Sequence, residues 1–396
     1  MNRKKVVVKK SAVDSLKSFH LWIYRNQIKK TPKHLEEGEI VDIYSPDGKF
    51  LGVGYINLKS VISIRMLSFE DVKIDKNFFL KKISTAVEKR KNILCSTDAY
   101  RIIHSEADGL PGLIADFYNG YISVQINTAG MERLRSFIVE ALIDVISPKG
   151  IFEKSDEKSR KKEGLDTKHD VIYGEVPDRI LIHENDIRFS VDIKSSQKTG
   201  FYLDQRKNRK TVSEYVREGF KVLDLFSNTG GFGIYAAKKG AEFVKFVDIS
   251  DFALKQVEEN CNLNSVKNYQ TVKENAFDFL KREKEKNSTY DLIILDPPSF
   301  AKSKKEKEGA LRGFKYLLVS ALKLVSNRGF VAVFSCSHHV GMEDLKKLTF
   351  EASVDTKTPV EIVEHLYQDL DHPYVINVPN SLYLKGFLFR KALSYF

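Results

Sequence analysis

The chain has little cysteine: 3 in 396 residues, at Cys95, Cys261 and Cys336. An odd, scattered set excludes a disulfide framework, and no Cys/His grouping has zinc-site spacing, so no metal is expected. Long apolar runs are missing too. No stretch of about 18 apolar residues occurs, which excludes a transmembrane helix and a membrane partner. The start, MNRKKVVVKKS, is basic, but Lys9 and Lys10 interrupt its apolar run, so it does not read as a secretory signal. There is no internal repeat and no long low-complexity tract. These absences leave a cytoplasmic, reduced, soluble protein.

What is present begins with length, which suggests two or three domains. Lys+Arg number 64 against 53 Asp+Glu, a net charge of +11 that favours a polyanionic partner such as nucleic acid. The surplus is uneven. Residues 1–70 hold 13 basic and 7 acidic residues, an excess of +6. Short β-like runs fill this segment (Val6–Val8, Glu39–Tyr44, Phe50–Ile56, Val61–Leu67), and Ser45-Pro46-Asp47-Gly48 is a hairpin-turn signal. It reads as a small, basic, mostly β module.

Residues 71–190 read as a mixed α/β segment. Phe78–Asn92 and Glu132–Ile146 have helical periodicity, and Leu113–Asp116 and Ile122–Ile126 read as strands joined across Asn119-Gly120. Further strand-like runs lie at Val171–Tyr173, Ile180–Glu184 and Ile187–Val191. The charge-dense Glu153–His169 reads as a solvated loop.

From residue 191 onward strands and helices alternate. Strands are expected at Lys221–Phe226, Phe243–Ile249, Asn268–Val272, Asp291–Asp296, Gly329–Ser335, Val360–Leu366 and Leu382–Phe389. Helices are expected at Ser250–Asn264, Leu311–Val325 and Met342–Val354. Repeated βα units imply a parallel sheet covered on both faces. The last two strands, without a helix between them, should pair antiparallel.

Chemistry-bearing residues cluster at the carboxyl ends of these strands, where open α/β sheets bind ligands. Asp224-Leu225-Phe226-Ser227-Asn228-Thr229-Gly230-Gly231-Phe232-Gly233 ends a strand in an acid and opens a helix through glycines that let a ligand approach the backbone. It is neither a dinucleotide fingerprint nor a P-loop. The acid disfavours a bare pyrophosphate and suits a cationic amino-acid ligand; a tight strand–helix turn is the plainer reading. Asp248, ending the next strand, is placed to accept both hydroxyls of a ribose, or is a surface acid before Ser250, a plausible N-cap. Asn275 could reach an adenine edge with Phe277 packed nearby, or be a turn residue. Asp296-Pro297-Pro298-Ser299-Phe300 holds an acid rigidly past a buried strand. Ser335-Cys336-Ser337-His338-His339 puts a cysteine on the same edge, where a thiolate is a strong nucleophile; a buried structural Cys is the alternative. His338 and His339 have no evident metal partners and read as loop residues.

In this order the motifs resemble class I S-adenosylmethionine-dependent methyltransferases. Gln197-Lys198-Thr199-Gly200-Phe201-Tyr202-Leu203-Asp204-Gln205-Arg206-Lys207-Asn208-Arg209, Asp371-His372-Pro373 and Leu382-Tyr383-Leu384-Lys385-Gly386-Phe387 are similar to the RlmI-like family of 23S ribosomal RNA cytosine-C5 methyltransferases. Trp22-Ile23-Tyr24-Arg25-Asn26-Gln27-Ile28 matches the start of that family's PUA domain, although His20-Leu21-Trp22 replaces the usual His-Pro-Trp. The resemblance implies an α/β protein: a β-barrel PUA RNA-binding domain over 1–70, a small α/β middle domain over 71–190 and a Rossmann-like methyltransferase domain over 191–396. Its cofactor would be S-adenosyl-L-methionine and its partner 23S ribosomal RNA, with a homodimer among the assemblies it allows. Asp224, Phe226, Gly230 and Gly231 would face the methionine part, Asp248 and Ile249 the ribose side, and Asn275 and Ala276 the adenine. Phe201, Tyr202, Gln205 and Arg206 would close the cofactor side. Asp296 and Pro297 would contact the target base.

In this family's RNA cytosine-C5 relatives the cysteine lies in the Asp-Pro-Pro motif, in the later Ser/Thr-Cys-Ser motif, or in both. Ser299 occupies the first position here, so Cys336 carries the expectation of a catalytic thiolate, with Asp296 on the base at nitrogen 3. Three alternatives stand beside this one. They are methylation of guanine nitrogen 7, which needs no cysteine; a non-catalytic RNA-binding assembly factor; and, in another class, an NAD(P)-dependent dehydrogenase.

Overall fold

The structure is a computed structural model describing residues 3–392 except Leu94, Gln197 and Lys302, with Lys304 in its backbone only. The chain divides into two compact units. The first comprises residues 1–185, 191–203 and 370–381; the second comprises 186–190, 204–369 and 382–396.

In the first unit, Lys4–Val8, Trp22–Tyr24, Ile28–Lys30, Glu39–Tyr44, Phe50–Ile56 and Ile62–Ser68 form a six-stranded sheet. Its alternating apolar residues, among them Val6, Val8, Ile23, Val41, Ile43 and Ile64, are fully buried in one cluster. Each such side chain contributes about 1.5–3 kcal/mol. The basic β module is therefore present, with one helix, Lys10–Lys17, that the sequence reading missed. Ala12 and Leu16, one turn apart, anchor it.

A second sheet runs in the order His169–Gly174, Gly150–Lys154, Tyr121–Ile126, Leu113–Tyr118, Ala99–His104. Helices Lys76–Lys89 and Arg135–Ile146 contribute Phe79, Ile83, Ile138 and Leu142 to its core. Tyr55 and Leu67 from the first sheet belong to that same core. The Tyr55 hydroxyl donates to the Pro111 carbonyl at 2.7 Å. The two sheets thus share a core inside one unit.

The charge-dense stretch Glu153–His169 is not a solvated loop. It contains the end of a strand and a helix, Glu157–Glu163, whose Asp156 cap accepts from the Ser159 N–H at 2.7 Å. Glu153, Arg160 and Glu163 are buried. Arg160 pairs with Glu132 at 2.8 Å, Glu163 with Arg65 at 2.9 Å, and Glu153 with Arg135. Charge density misleads here because the opposite charges meet in three dimensions, which a one-dimensional reading cannot detect.

A second ionic network occupies the same unit. The Arg90 guanidinium grips the Asp108 carboxylate at 2.7 and 3.2 Å and donates to the Asp371 carbonyl at 2.9 Å. Asp371 Oδ2 accepts from the Arg101 N–H at 3.0 Å. The Asp-His-Pro motif is thereby fixed through its acid. Arg90 and Asp108 side chains are each only 1% exposed, so losing one strands the other in an apolar setting. Asp108→Ala should cost about 3–5 kcal/mol, read as a lower urea midpoint for the first unit; a midpoint within experimental error of wild type would refute the network's structural role.

The second unit is built on a seven-stranded sheet: β1 (Lys221–Leu225), β2 (Phe243–Asp248), β3 (Tyr269–Lys273), β4 (Tyr290–Leu295), β5 (Val325–Ser335), β6 (Val360–Tyr367) and β7 (Lys385–Lys391). Their spatial order is β3-β2-β1-β4-β5-β7-β6. The first five are parallel, and β7 runs antiparallel between β5 and β6. The helices are α1 (Arg206–Ser213), α2 (Gly231–Lys238), α3 (Asp251–Leu263), α4 (Ala276–Glu285), α5 (Lys307–Leu324) and α6 (Met342–Thr356). Leu292, Ile293, Ile294 and Leu295 of β4 are buried, as a central strand covered on both faces requires. The direction of strand order reverses between β1 and β4, which opens a crevice at their carboxyl ends.

Candidate active site

Register brings the motif residues to one edge. Leu225 lies opposite Val247 and Leu295, and Leu295 opposite Val333. Phe226, Asp296 and Cys336 lie just past the ends of β1, β4 and β5, and Asp248 is the last residue of β2. A cavity of about 830 Å³ lies at the other edge, lined by the first residues of β1, β2, β3 and β4, and includes none of them.

The turn after β1 is strained in a definite way. Phe226 (φ 61°) and Asn228 (φ 47°) have left-handed backbones, rare for side-chain-bearing residues and characteristic of binding loops. Gly230 follows at φ 82°. A Cβ at Gly233 would lie 2.2 Å from the Phe246 ring, so only glycine lets α2 pack onto β2. The Ser227 hydroxyl is buried in this turn without a hydrogen-bond partner among the described residues.

Asp224 is 2% exposed and its Oδ2 accepts from the Gly233 N–H at 2.9 Å. Burial pushes its carboxyl well above the usual carboxylate range. The Gly233 N–H opposes that, and the negative charges of Asp296 and Asp248 reinforce it. Asp248 is oriented by two backbone donors: Oδ2 accepts from Asn228 N–H and Oδ1 from Ser250 N–H, both at 2.9 Å. Each oxygen retains a further lone pair, the pattern two neighbouring hydroxyls require. Ser250 is an N-cap as expected, accepting from the Ala253 N–H at 3.2 Å. Ile249 beside it is 69% exposed.

Asn275 caps α4, its oxygen accepting from the Phe277 N–H at 2.9 Å. That leaves its amide NH₂ and the first-turn N–H of Ala276 as donors to a ligand. Asp296 Oδ2 accepts from Gln205 Nε2 at 2.9 Å, and Gln205 Oε1 from Asn208 Nδ2 at 2.6 Å. Arg206 is buried and paired with Asp369 at 2.7 Å. Phe201 and Tyr202 lie in the first unit. There the Phe201 N–H donates to the Tyr118 hydroxyl at 3.2 Å, and the Lys198 ammonium stands 4.3 Å from the Tyr202 ring centroid. Gln197 lies outside the described residues.

Three features escaped the sequence reading. Arg209 of α1 is buried, and its charge draws the Asp224 carboxyl back toward ionisation. Phe226, Phe277 and Phe314 form an aromatic cluster around Phe300, their centroids 5.3–6.4 Å from its own. Beside it a cavity of about 460 Å³ is lined by Phe277, Phe300, Lys305, Arg312 and Gly313. Aromatic composition hints at this cluster; spacing does not. Also near the Asp-Pro-Pro loop, Lys307 is paired with Asp344 at 2.9 Å, while Lys302 and the Lys304 side chain lie outside the described residues.

Three crowded acids favour a ligand of net positive charge with two vicinal hydroxyls, and the molecule is similar throughout its length to proteins that use one. Residues 158–378 match the S-adenosylmethionine-dependent methyltransferase family, and residues 6–69 match the PUA-like domain. Proteins named ribosomal RNA large subunit methyltransferase I are 38% identical to it. The one from Aeromonas salmonicida aligns over 95% of this chain and 96% of its own, and that from Vibrio cholerae over 94% and 96%. The chain belongs to this methyltransferase family. A solved methyltransferase complexed with SAH is 26% identical, with a TM-score of 0.85, over 98% of this chain and 99% of that one. A SAM-dependent methyltransferase from Streptococcus mutans has a TM-score of 0.83 at the same identity and coverage.

The methyl donor is S-adenosylmethionine, whose sulfonium and ammonium groups suit the acidic edge and whose ribose suits Asp248. Among the described residues no helix is long and apolar enough to cross a membrane. Asp248→Ala should weaken cofactor binding by about 1–3 kcal/mol; calorimetry on the folded variant showing undiminished affinity would remove Asp248 from the site.

Proposed function

We propose that this protein methylates carbon 5 of a cytosine in 23S ribosomal RNA, with Cys336 as the nucleophile. The observation that carries the reading is the half-buried Cys336, just past the end of β5 on the edge that bears Asp224, Asp248 and Asp296. The names of its relatives support the ribosomal substrate, and the PUA-like segment with its basic excess supports RNA binding in the cytoplasm.

Asp248 holds the ribose. Asp224 and the Gly230–Gly233 turn hold the methionine end. Asn275 and Ala276 face the adenine through their N–H groups, while Phe226 and Ile249 line the slot. Gln205 orients Asp296, and Arg206 closes the cofactor side.

The bound cofactor supplies an electrophilic methyl group. Carbon 5 of cytosine is too weak a nucleophile to take it unaided. Cys336 Sγ adds to carbon 6 and makes carbon 5 enamine-like. Asp296 in its protonated form donates to nitrogen 3, and transfer of that proton neutralises the negative charge that addition places on the ring. After methylation a base removes the carbon-5 proton, and Cys336 departs as the ring regains its double bond. The other cysteines are unsuited to this task. Cys261 is buried inside α3, where burial pushes its thiol up to about 12, and Cys95 lies in a turn outside the seven-stranded sheet.

Cys336→Ala should abolish turnover while leaving cofactor affinity near normal. RNA containing 5-fluorocytosine should trap a covalent adduct with the wild type only, because fluorine cannot leave as a proton does. Full activity in Cys336→Ala would exclude the thiolate route and favour guanine nitrogen 7.

RNA affinity is assigned to the first unit. Removing residues 1–70 would open the core that holds Tyr55 and Leu67, so charge removal is the cleaner test. Lys29, Lys30 and Lys33 are exposed. Changing all three to Ala should weaken binding of a 23S fragment and flatten its salt dependence, by about 0.7 in log–log slope per lost phosphate contact. Cofactor affinity should not move; an unaltered salt slope would contradict the assignment.

A further inference from the structure

Lys385 is a buried cation in an unusual setting. It opens β7 opposite Ser335, the last residue of β5, so the register places it beside the turn that begins with Cys336. Only 6% of it is exposed. Its ammonium donates to the Ser337 carbonyl and, at 3.0 Å, to the Tyr383 carbonyl. These are neutral acceptors, and among the described residues Lys385 forms no salt bridge. A buried ammonium without a counter-charge is costly and normally sheds its proton. Among the described residues the third N–H of the group has no acceptor.

The anionic candidates nearby are two. Asp344, capping α6, is already occupied: it accepts from the Gly341 N–H at 2.9 Å and pairs with Lys307 at 2.9 Å. The other is the Cys336 thiol. Burial lowers the Lys385 pKa, while Cys336, then Asp344, act to raise it. Of the other titratable neighbours, Tyr383 spends its hydroxyl on Asp204, and His338 and His339 are cation-formers. Burial, Lys385 and His339 all push the His338 imidazole below its usual range, so it adds no competing charge at neutral pH.

We propose that Lys385 is the counter-ion that holds Cys336 as a thiolate, a positioning residue acting through the nucleophile rather than on the base. The thiol proton passes to solvent and Lys385 stays an ammonium. The Ser337 carbonyl that Lys385 holds fixes the direction in which the sulfur leaves the strand. This role rests on the assignment of Cys336 as nucleophile.

The test is the pH dependence of iodoacetamide alkylation in the intact protein, read peptide by peptide by mass spectrometry. Cys95, which is exposed, serves as an internal reference. Accessibility sets the plateau rate at high pH, whereas the midpoint reports the thiol pKa. In the wild type the Cys336 midpoint should lie at least one unit below that of Cys95. Lys385→Gln keeps a donor for the carbonyls but removes the charge. It should raise the midpoint and slow alkylation at pH 7 by about tenfold or more relative to the plateau, one pKa unit being tenfold in thiolate. Lys385→Arg should keep the low midpoint.

A wild-type Cys336 midpoint at or above that of Cys95 overturns the proposal, and so does an unmoved midpoint in Lys385→Gln. If Lys385→Gln does not fold, the wild-type midpoint decides alone. The cytosine reading fails separately. A low midpoint with no 5-fluorocytosine adduct would refute cytosine and leave the ion pair standing. An adduct together with an unmoved midpoint in Lys385→Gln would refute only the ion pair.

Discussion

Three carboxylates at the edge of one sheet repel one another, and much of the second unit is arranged around holding them there. Asp224 is the extreme case, buried with the Gly233 N–H as its neutral donor and Arg209 as its opposite charge. Asp248 is held between two backbone N–H groups, Asp296 by Gln205. Such a site is poised for a cation: a ligand with positive charge relieves the repulsion and gains affinity from it. The same constraint explains the strained turn. Left-handed residues at Phe226 and Asn228 let the backbone curl tightly enough for the Asn228 N–H to reach Asp248 while Gly233 reaches Asp224.

In the proposed mechanism Cys336 and its counter-ion Lys385 stand next to this cluster. Neither Cys336 nor Lys385 would be effective in bulk water, where a thiol of ordinary pKa is mostly protonated at neutral pH and an ammonium is fully hydrated. Partial burial at the end of β5 makes each the better partner for the other. Strand order also puts the cation three strands away from Asp224 and beyond Asp296, so that cationic and anionic ends of the site remain separate.

Much of this could be read in the sequence because it is local. A strand that ends in an acid and meets glycines, or a buried strand that ends in Asp-Pro-Pro, announces its position through a few consecutive residues. The sequence reading therefore located Asp224, Asp248, Asp296 and Cys336 on one edge before any coordinates. It overlooked what depends on distant pairing. Lys385 stood out only as part of a motif; its importance comes from lying opposite Ser335, fifty residues earlier. Arg209 closed a recognised string, but its role depends on α1 packing against α2. The error over Glu153–His169 has the same origin. A solvated loop and a buried ionic helix have the same composition, and Arg65, Glu132 and Arg135 alone distinguish them.

The position of β7 also dictates an order of assembly. β6 is made before β7, yet it joins the sheet only through β7, which pairs with β5 on its other side. During synthesis β5 must therefore present an open strand edge while β6 waits unpaired, a state exposed to wrong partners until residues 385–391 arrive. The residue that opens this closing strand is Lys385. If Lys385 is the counter-ion proposed above, the insertion that seals the sheet also completes the electrostatics around the sulfur, and a chain that ends before β7 lacks an activated thiol.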